Sequence, residues 1–340
     1  MSGHDIIVIG ASAGGLQALR DLVRGLPRNL SAACFAVLHM QLGRDSSIAS
    51  ILAGEGTLPV RFAEDGERIR RGTLLLAPQD RHLIVRGDCV SLSGGPRENF
   101  WRPSIDVLFR TAAVTHRSRV IGVVLSGALD DGVAGLSAVR ACGGEALVQD
   151  PAEAGCSEMP AIALQQVEGS RAMTVASLCS ELQRLVHVEA PPAPQVSPEL
   201  ELEARIISDG SDLVASLGMP NEISLFNCPE CGGPLAPTRD RPLRYRCTVG
   251  HGFTVSSLDD GMRRQIESSL WVSIRMLQQR STLSRTRSET EREKGRTFGA
   301  RTYLDRAEED AAHAEVLRRL LMEMNEPAFL ETRSTGTGPE

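Results

Sequence analysis

The stretch GASAGG (residues 10–15) sets one serine, Ser12, among glycines directly after the apolar run DIIVIG (5–10). It matches G-x-S-x-G, the pattern of a nucleophile elbow, in which a strand ends in a tight turn and a helix follows. Glycines permit the turn. The amides and positive dipole end of the following helix then face the place where an oxyanion would develop. Two other readings compete for these residues. Ser12 could be an ordinary helix N-cap on a glycine turn, or the loop could cradle a phosphate. The phosphate reading fails on spacing: Gly10, Gly14 and Gly15 do not give G-x-G-x-x-G, and no Gly-Lys-Ser/Thr follows.

A serine nucleophile needs a base and a group to orient that base. In an open parallel sheet such groups collect beyond the carboxyl ends of the strands. His39 follows the apolar run AACFAVL (32–38), and Asp131 follows VIGVVL (120–125) through the loop SGALDDG. Taken singly, a histidine after a strand is an ordinary structural residue and Asp-Gly is an ordinary turn. Ser12, His39 and Asp131 at the ends of three strands are a stronger pattern, with roles of nucleophile, general base and orienting carboxylate. The chain order Ser…His…Asp differs from the Ser…Asp…His of α/β-hydrolases, which argues against a lipase-like fold. Arg102 and Asp106 in WRPSID and His82 in APQDRH are secondary candidates, for which salt links or strand-edge hydrogen bonds are the expected roles.

Cys228, Cys231, Cys247 and His251 form a second constellation, spaced C-P-E-C, fifteen residues, Cys, three residues, His. Three thiolates and an imidazole fill the tetrahedral shell of a structural zinc site and leave no open position for catalysis. A redox C-x-x-C is the rival, but no thioredoxin-like unit surrounds it. Cys34, Cys89, Cys142, Cys156 and Cys179 occur singly and are expected to be reduced core residues.

These groups need positioning. Strand-like runs at 5–10, 32–38, 73–77, 82–86, 120–125 and 145–149 alternate with helical patterns at 16–26, 46–52, 103–114 and 132–144. The expected fold is α/β, a doubly wound, mostly parallel sheet with helices on both faces. The strands at 73–77 and 82–86 are expected to pair around APQDR. A catalytic domain at 1–189 ends in the proline-rich linker 190–198, followed by a short helical connector (199–225) and a zinc ribbon (226–256). A helical hairpin (257–328) and a disordered tail (329–340) complete the layout. The apolar stripe Leu270, Ile274, Leu277 requires either the second helix or another protein as its partner. A net charge of −6 removes the global basic field expected of a nucleic-acid binder. No apolar run approaches the roughly 18 residues of a membrane span, and the N-terminus has no signal-peptide pattern. A cytoplasmic location is expected.

The segments IGASAGG, VLHM, APQDRHLIV, RPSID, SGALDDGVAGL and QDPAEAGCSEMPAIAL occur in order over roughly residues 4–188. Together they resemble the catalytic domain of the chemotaxis protein-glutamate methylesterase (CheB) family. The resemblance implies a serine hydrolase that removes methyl esters from glutamate side chains, and deamidates some glutamines, on methyl-accepting chemoreceptors, with no cofactor for catalysis. It assigns Ser12 as nucleophile, His39 as base and Asp131, rather than Asp130, as the orienting carboxylate. Ala13 stands where the family commonly has Thr, and Ala128 and Leu129 replace the Met and second Gly of its loop. The sequence opens on the catalytic domain, so phosphorylation control by an N-terminal receiver domain is expected to be absent. Other readings are an esterase with a different substrate, or a catalytically weak scaffold docking partners through its C-terminal modules.

Overall fold

The computed structural model describes residues 3–40, 47–209, 225–238 and 242–325. Residues 210–224 of the expected connector, residue 46 of the helix expected at 46–52, residues 239–241 of the expected ribbon, residues 326–328 of the expected hairpin and the tail at 329–340 lie outside the described residues. The chain divides into two compact units, Met1–Asp259 and Asp260–Glu340.

In the first unit the strands up to residue 189 are β1 (Ile6–Ala11), β2 (Ala33–Leu38), β3 (Val60–Phe62), β4 (Thr73–Leu76), β5 (His82–Arg86), β6 (Cys89–Ser93), β7 (Val120–Val124), β8 (Glu145–Gln149) and β9 (Arg171–Met173). The helices among them are α1 (Gly15–Gly25), α2 (Ile48–Glu55), α3 (Ile105–His116), α4 (Val133–Ala141), α5 (Glu158–Gln166) and α6 (Val175–Leu185). Seven strands form one parallel sheet in the order β3-β4-β2-β1-β7-β8-β9. Successive side chains of a strand point to opposite faces. On β1, Ile6 and Val8 therefore join a core with Leu108, Phe109 and Leu136 of α3 and α4. Ile7 and Ile9 join a separate core with Leu19, Leu22 and Leu182 of α1 and α6. A sheet buried on both faces explains why its strands read as unbroken apolar runs.

The chain moves outward from β1 through β2 to the edge strand β3, steps back to place β4 between β3 and β2, then crosses to place β7 on the other side of β1. The strand order reverses at β1, which opens a crevice at the carboxyl ends of β1, β2 and β7.

One pairing differs from the sequence expectation. β4 is held on both sides, by β2 and β3, and has no free edge for β5. β5 instead pairs antiparallel with β6 across Gly87-Asp88. That two-residue Gly-Asp loop is the stronger hairpin signal, with Gly87 at φ 57°. The short strands β3 and β9 give no sequence pattern of their own.

The helix α7 (Pro198–Asp209) leads toward a small antiparallel sheet of β10 (Leu235–Pro237), β11 (Arg244–Cys247) and β12 (Gly252–Thr254). Helix α8 (Val255–Glu293) follows directly, and α9 (Thr297–Asn325) turns back near the expected EKGRTFG joint. In the second unit Leu270, Ile274 and Leu277 pack against Ala314, Leu317 and Leu321. The stripe's partner is thus the second helix. The Ser281 and Ser288 hydroxyls donate to the Ala307 and Ala300 carbonyls, both at 2.7 Å, fixing the antiparallel register.

Candidate active site

Ser12 lies one residue past β1, where the chain turns into α1. Gly14 adopts φ 70° as the N-cap of α1. A Cβ on Gly15 would fall 2.8 Å from both Ala11 Cβ and the Ser126 carbonyl oxygen. The paired glycines therefore belong to a turn pressed against the β7 loop. Ser12 N–H donates to the Ser126 carbonyl at 2.9 Å, so the same loop fixes the Ser12 backbone. Gly127 approaches from that loop closely enough that a Cβ there would sit 3.0 Å from Ser12 Cβ.

His39 Nδ1 lies 3.2 Å from Ser12 Oγ, and His39 Nε2 lies 3.0 Å from Asp131 Oδ2. Nε2 toward a carboxylate favours the Nε2–H tautomer, which leaves the Nδ1 lone pair facing the serine hydroxyl. The His39 and Asp131 side chains are 2% and 3% exposed. Trp101 stacks on the imidazole with centroids 4.0 Å apart and planes within 9°, excluding water from one ring face.

Asp131 precedes α4, yet its carboxylate caps α3. It accepts from the Ile105 amide at 2.7 Å, the Ser104 hydroxyl at 2.9 Å and the Asn99 side-chain amide at 3.0 Å. The exchange is reciprocal: Asp106, in the first turn of α3, accepts from Gly132 N at 2.9 Å and Gly135 N at 2.6 Å at the start of α4. Two orphan helix ends are thus satisfied by each other's carboxylates. Asn99 Nδ2 donates to both acids, reaching Asp106 at 3.0 Å. Burial alone would raise the Asp131 carboxyl, but His39, Asn99 and the Ile105 amide hold it below its ordinary range. Burial, then the charge on Asp131, push the Asp106 carboxyl up to about 8. The negative charge therefore resides on the acid that faces the imidazole.

The remaining sequence candidates have structural partners. Arg102 donates to Asp80 at 2.6 Å and to the Gly94 and Gly95 carbonyls at 2.7 Å. His82 bonds the Pro96 carbonyl oxygen through Nε2 at 2.9 Å and accepts from Ser104 N through Nδ1 at 3.2 Å. Asp130 turns away from the imidazole to accept from the Thr254 hydroxyl at 2.8 Å. Arg102 also lines, with His39, Met40, Arg97 and Trp101, a cleft of 220 Å³ beside the imidazole. At the altered loop, Leu129 adopts φ 59° and its amide donates to Glu158 Oε2 at 3.0 Å. Asn99, Trp101, Ser104 and Ser126 were invisible as site residues in the sequence. Asn99 and Phe100 take left-handed φ of 51° and 67°, and only tertiary contacts reveal why.

The ligand atoms of Cys228, Cys231, Cys247 and His251 lie within 4.8 Å of one another and could hold a metal ion. Bonds of about 2.3 Å to sulfur and about 2.0 Å to nitrogen at tetrahedral angles put sulfurs about 3.8 Å apart, and sulfur and nitrogen about 3.5 Å apart. The Cys231–Cys247 sulfurs are 3.7 Å apart, and His251 Nδ1 is 3.4 and 3.7 Å from Cys247 and Cys228 Sγ. His251 Nε2 faces Glu230 Oε2 at 3.0 Å, the outer carboxylate that fixes a ligating imidazole. The donor set fits. Among the described residues no helix is long and apolar enough to cross a membrane.

A model of the CheB methylesterase family matches residues 7–182. A Leptospira interrogans protein provisionally named protein-glutamate methylesterase/protein-glutamine glutaminase is 39% identical over 163 residues, 48% of this chain and 84% of that protein. An Anaeromyxobacter dehalogenans protein named protein-glutamate methylesterase/protein-glutamine glutaminase 2 is 36% identical over 181 residues, but the match spans only 53% of each chain. The crystal structure of the Thermotoga maritima CheB methylesterase catalytic domain aligns with TM-score 0.51 and 31% identity, covering 54% of this chain and 100% of that one. The strand-end site thus sits inside the matched region, and the chain belongs to the CheB methylesterase family.

Proposed function

We propose that this chain is a protein-glutamate methylesterase working through Ser12, His39 and Asp131, with glutamine deamidation as a second reaction at the same site. The observation that carries the reading is the continuous Ser12–His39–Asp131 contact chain at the carboxyl edge of the sheet, in a member of this family. Ser12 Oγ attacks the ester carbonyl while His39 Nδ1 takes its proton. The carbonyl oxygen becomes an oxyanion at the α1 N-terminus, where the Ala13 amide is the candidate donor. The intermediate collapses, the C–OCH₃ bond breaks, and His39 returns the proton so that methanol leaves. Water then repeats the cycle on the acyl-serine and frees the glutamate. With a glutamine side chain, ammonia leaves instead. Asp131 holds the imidazole's orientation and balances its transient charge. The substrates are esters on methyl-accepting chemoreceptors in the cytoplasm.

Zinc is the ion we assign to the Cys₃His group, which leaves no coordination position for substrate. When bound it clamps the two cysteine-bearing turns of the ribbon. The domain layout is a catalytic domain at 1–189, a ribbon at 226–256 and a helical hairpin beyond it.

Methanol release from methylated receptor membranes tests the reading. Ser12→Ala is expected to lower the rate by at least about 10³-fold. Equal release by both proteins removes Ser12 from the mechanism. Release by neither favours another substrate or the scaffold reading, which Glu158 engaging the Leu129 amide keeps in play. Zinc is tested by metal content: bound zinc in the wild type and none in Cys228→Ser is expected.

A further inference from the structure

Residues 98–101 lie between the ribbon and the acid of the triad, and their backbone is not one they would choose alone. Asn99 and Phe100 are consecutive left-handed residues without glycine's freedom. Ribbon strand β12 holds them. Asn99 N–H donates to the Gly252 carbonyl at 2.8 Å, and Gly252 N–H donates to the Arg97 carbonyl at 3.2 Å. Phe100 packs on Phe253 with ring centroids 5.1 Å apart.

The side chains continue the connection. The Asn99 amide group has two ends. Its Nδ2 donates to Asp131 and Asp106, both at 3.0 Å. Its Oδ1 accepts from Thr254 N at 3.0 Å and from the Ser257 hydroxyl at 2.8 Å. Those two donors decide which way the amide points, because a flipped amide would set Nδ2 against N–H and O–H donors and Oδ1 against the Asp131 carboxylate. On the other side of Asp131, the Thr254 hydroxyl donates to Asp130 at 2.8 Å and also accepts from Ser257 N at 3.1 Å as the cap of α8. Asn99, Asp130, Asp131, Thr254 and Ser257 are all buried, so water does not supply replacements. Thr254 is three residues from the metal ligand His251.

We propose that the ribbon and the first turn of α8 that follows it are a positioning element of the active site: Thr254 and Ser257 fix Asn99 and Asp130, and through them the carboxylate that orients His39. Metal binding at Cys228, Cys231, Cys247 and His251 then sustains esterase activity without the ion meeting the substrate, by ordering β12. This rests on the serine-hydrolase reading, deepening it by one layer. It gives a metal-dependent switch whose output is the geometry of Asp131. A misplacement of the order of 1 Å at a catalytic group is enough to cost about 10²-fold in rate.

The test uses full-length protein and a fluorophosphonate, which modifies an activated serine whatever the natural substrate. Thr254→Val/Ser257→Ala, with its metal content verified, is expected to react at Ser12 about tenfold more slowly than wild type. Its kcat on methylated receptor is expected to fall by the same factor, with KM within about twofold. Thr254→Ser restores the hydroxyl and with it most of the rate. Chelation of wild type is expected to slow labelling at least as much as the double variant does. Labelling at the wild-type rate by the metal-loaded double variant overturns the coupling. Should that variant fold poorly, Ser257→Ala alone, which keeps the cap and a good helix former, is expected to slow labelling about threefold, and an unchanged rate overturns the proposal. A wild type inert to the probe overturns the serine reading and the coupling with it, an outcome distinct from failure of the coupling alone.

Discussion

Around β1 the chain buries Ile7, Val8, Ile9, Phe35 and Val123 completely, in two apolar layers that sandwich the sheet. The ribbon's buried apolar cluster is Cys228, Leu235, Cys247, Phe253 and Leu258, and two of these five are metal-ligand candidates. The ribbon fills the deficit with charge. Glu98 accepts from Arg110 and Arg246, and Glu203 of α7 accepts from Arg244 and Arg246, at 2.7–3.0 Å and all buried. One region is held by nondirectional burial, the other by bonds that fail once a partner is removed. The serine and histidine of the candidate site stand on the first kind of support. Asp131, the carboxylate proposed to orient the histidine, also leans on the second.

The largest break in this comparison is expected from metal removal. Structural zinc contributes on the order of 10 kcal/mol to small modules of this kind, more than so slight an apolar cluster supplies. Hydrogen exchange on chelated protein is expected to show rapid loss of protection at the Cys228, Leu235 and Cys247 amides. The amides of β1, β2 and β7 are expected to stay protected. Equal protection of the ribbon with and without metal would erase the contrast between the regions.

A smaller break is a change of one polar atom. Burial alone would raise the Glu203 carboxyl, but Arg246 and Arg244 hold it down to about 2. Glu203→Gln keeps the shape and leaves two buried guanidiniums short of their counter-charge, at an expected cost of about 3–5 kcal/mol. Ile7→Val in the sheet, as slight a change by volume, is expected to cost about 0.5–1.5 kcal/mol. Urea unfolding of the two variants gives the ratio directly, and comparable losses would mean that the charge network contributes little.

The difference between the regions also governs what the sequence discloses. The switch from an apolar run to helical spacing across GASAGG marks β1, the turn and α1. Strand ends then pick out Ser12, His39 and Asp131 as a set, which the structure brings together. The cysteine spacing discloses its cluster because ligand geometry is local. Pairing is less legible: the turn-like APQDR drew attention away from Gly87-Asp88, and nothing local to 73–77 says that both its edges are taken. Least legible are residues whose task exists only after folding. Asn99 matters because α3, α4 and β12 meet at its amide, and those elements are separated in the chain. The reciprocal capping by Asp106 and Asp131 is hidden likewise, since each acid caps the other's helix.

That pair supplies the finest probe of the comparison, because here the apolar-cored region buries charge as the ribbon does. The folded Asp106 carboxyl is pushed up to about 8, by burial first and by Asp131 second, while an unfolded aspartate titrates near 3.9. Between those values the folded state holds a proton that the unfolded state has released, so this group's contribution to stability falls as pH rises. Asp106→Asn cannot titrate. The stability gap between wild type and Asp106→Asn is therefore expected to be widest near pH 5 and to narrow by about 1–3 kcal/mol toward pH 8. Urea midpoints of both proteins across that range measure it. A gap that stays constant or widens with pH would place the ionised charge on Asp106. Folded Asp106 would then ionise as readily as an unfolded aspartate, and the placement of the site's negative charge on Asp131 alone would fall.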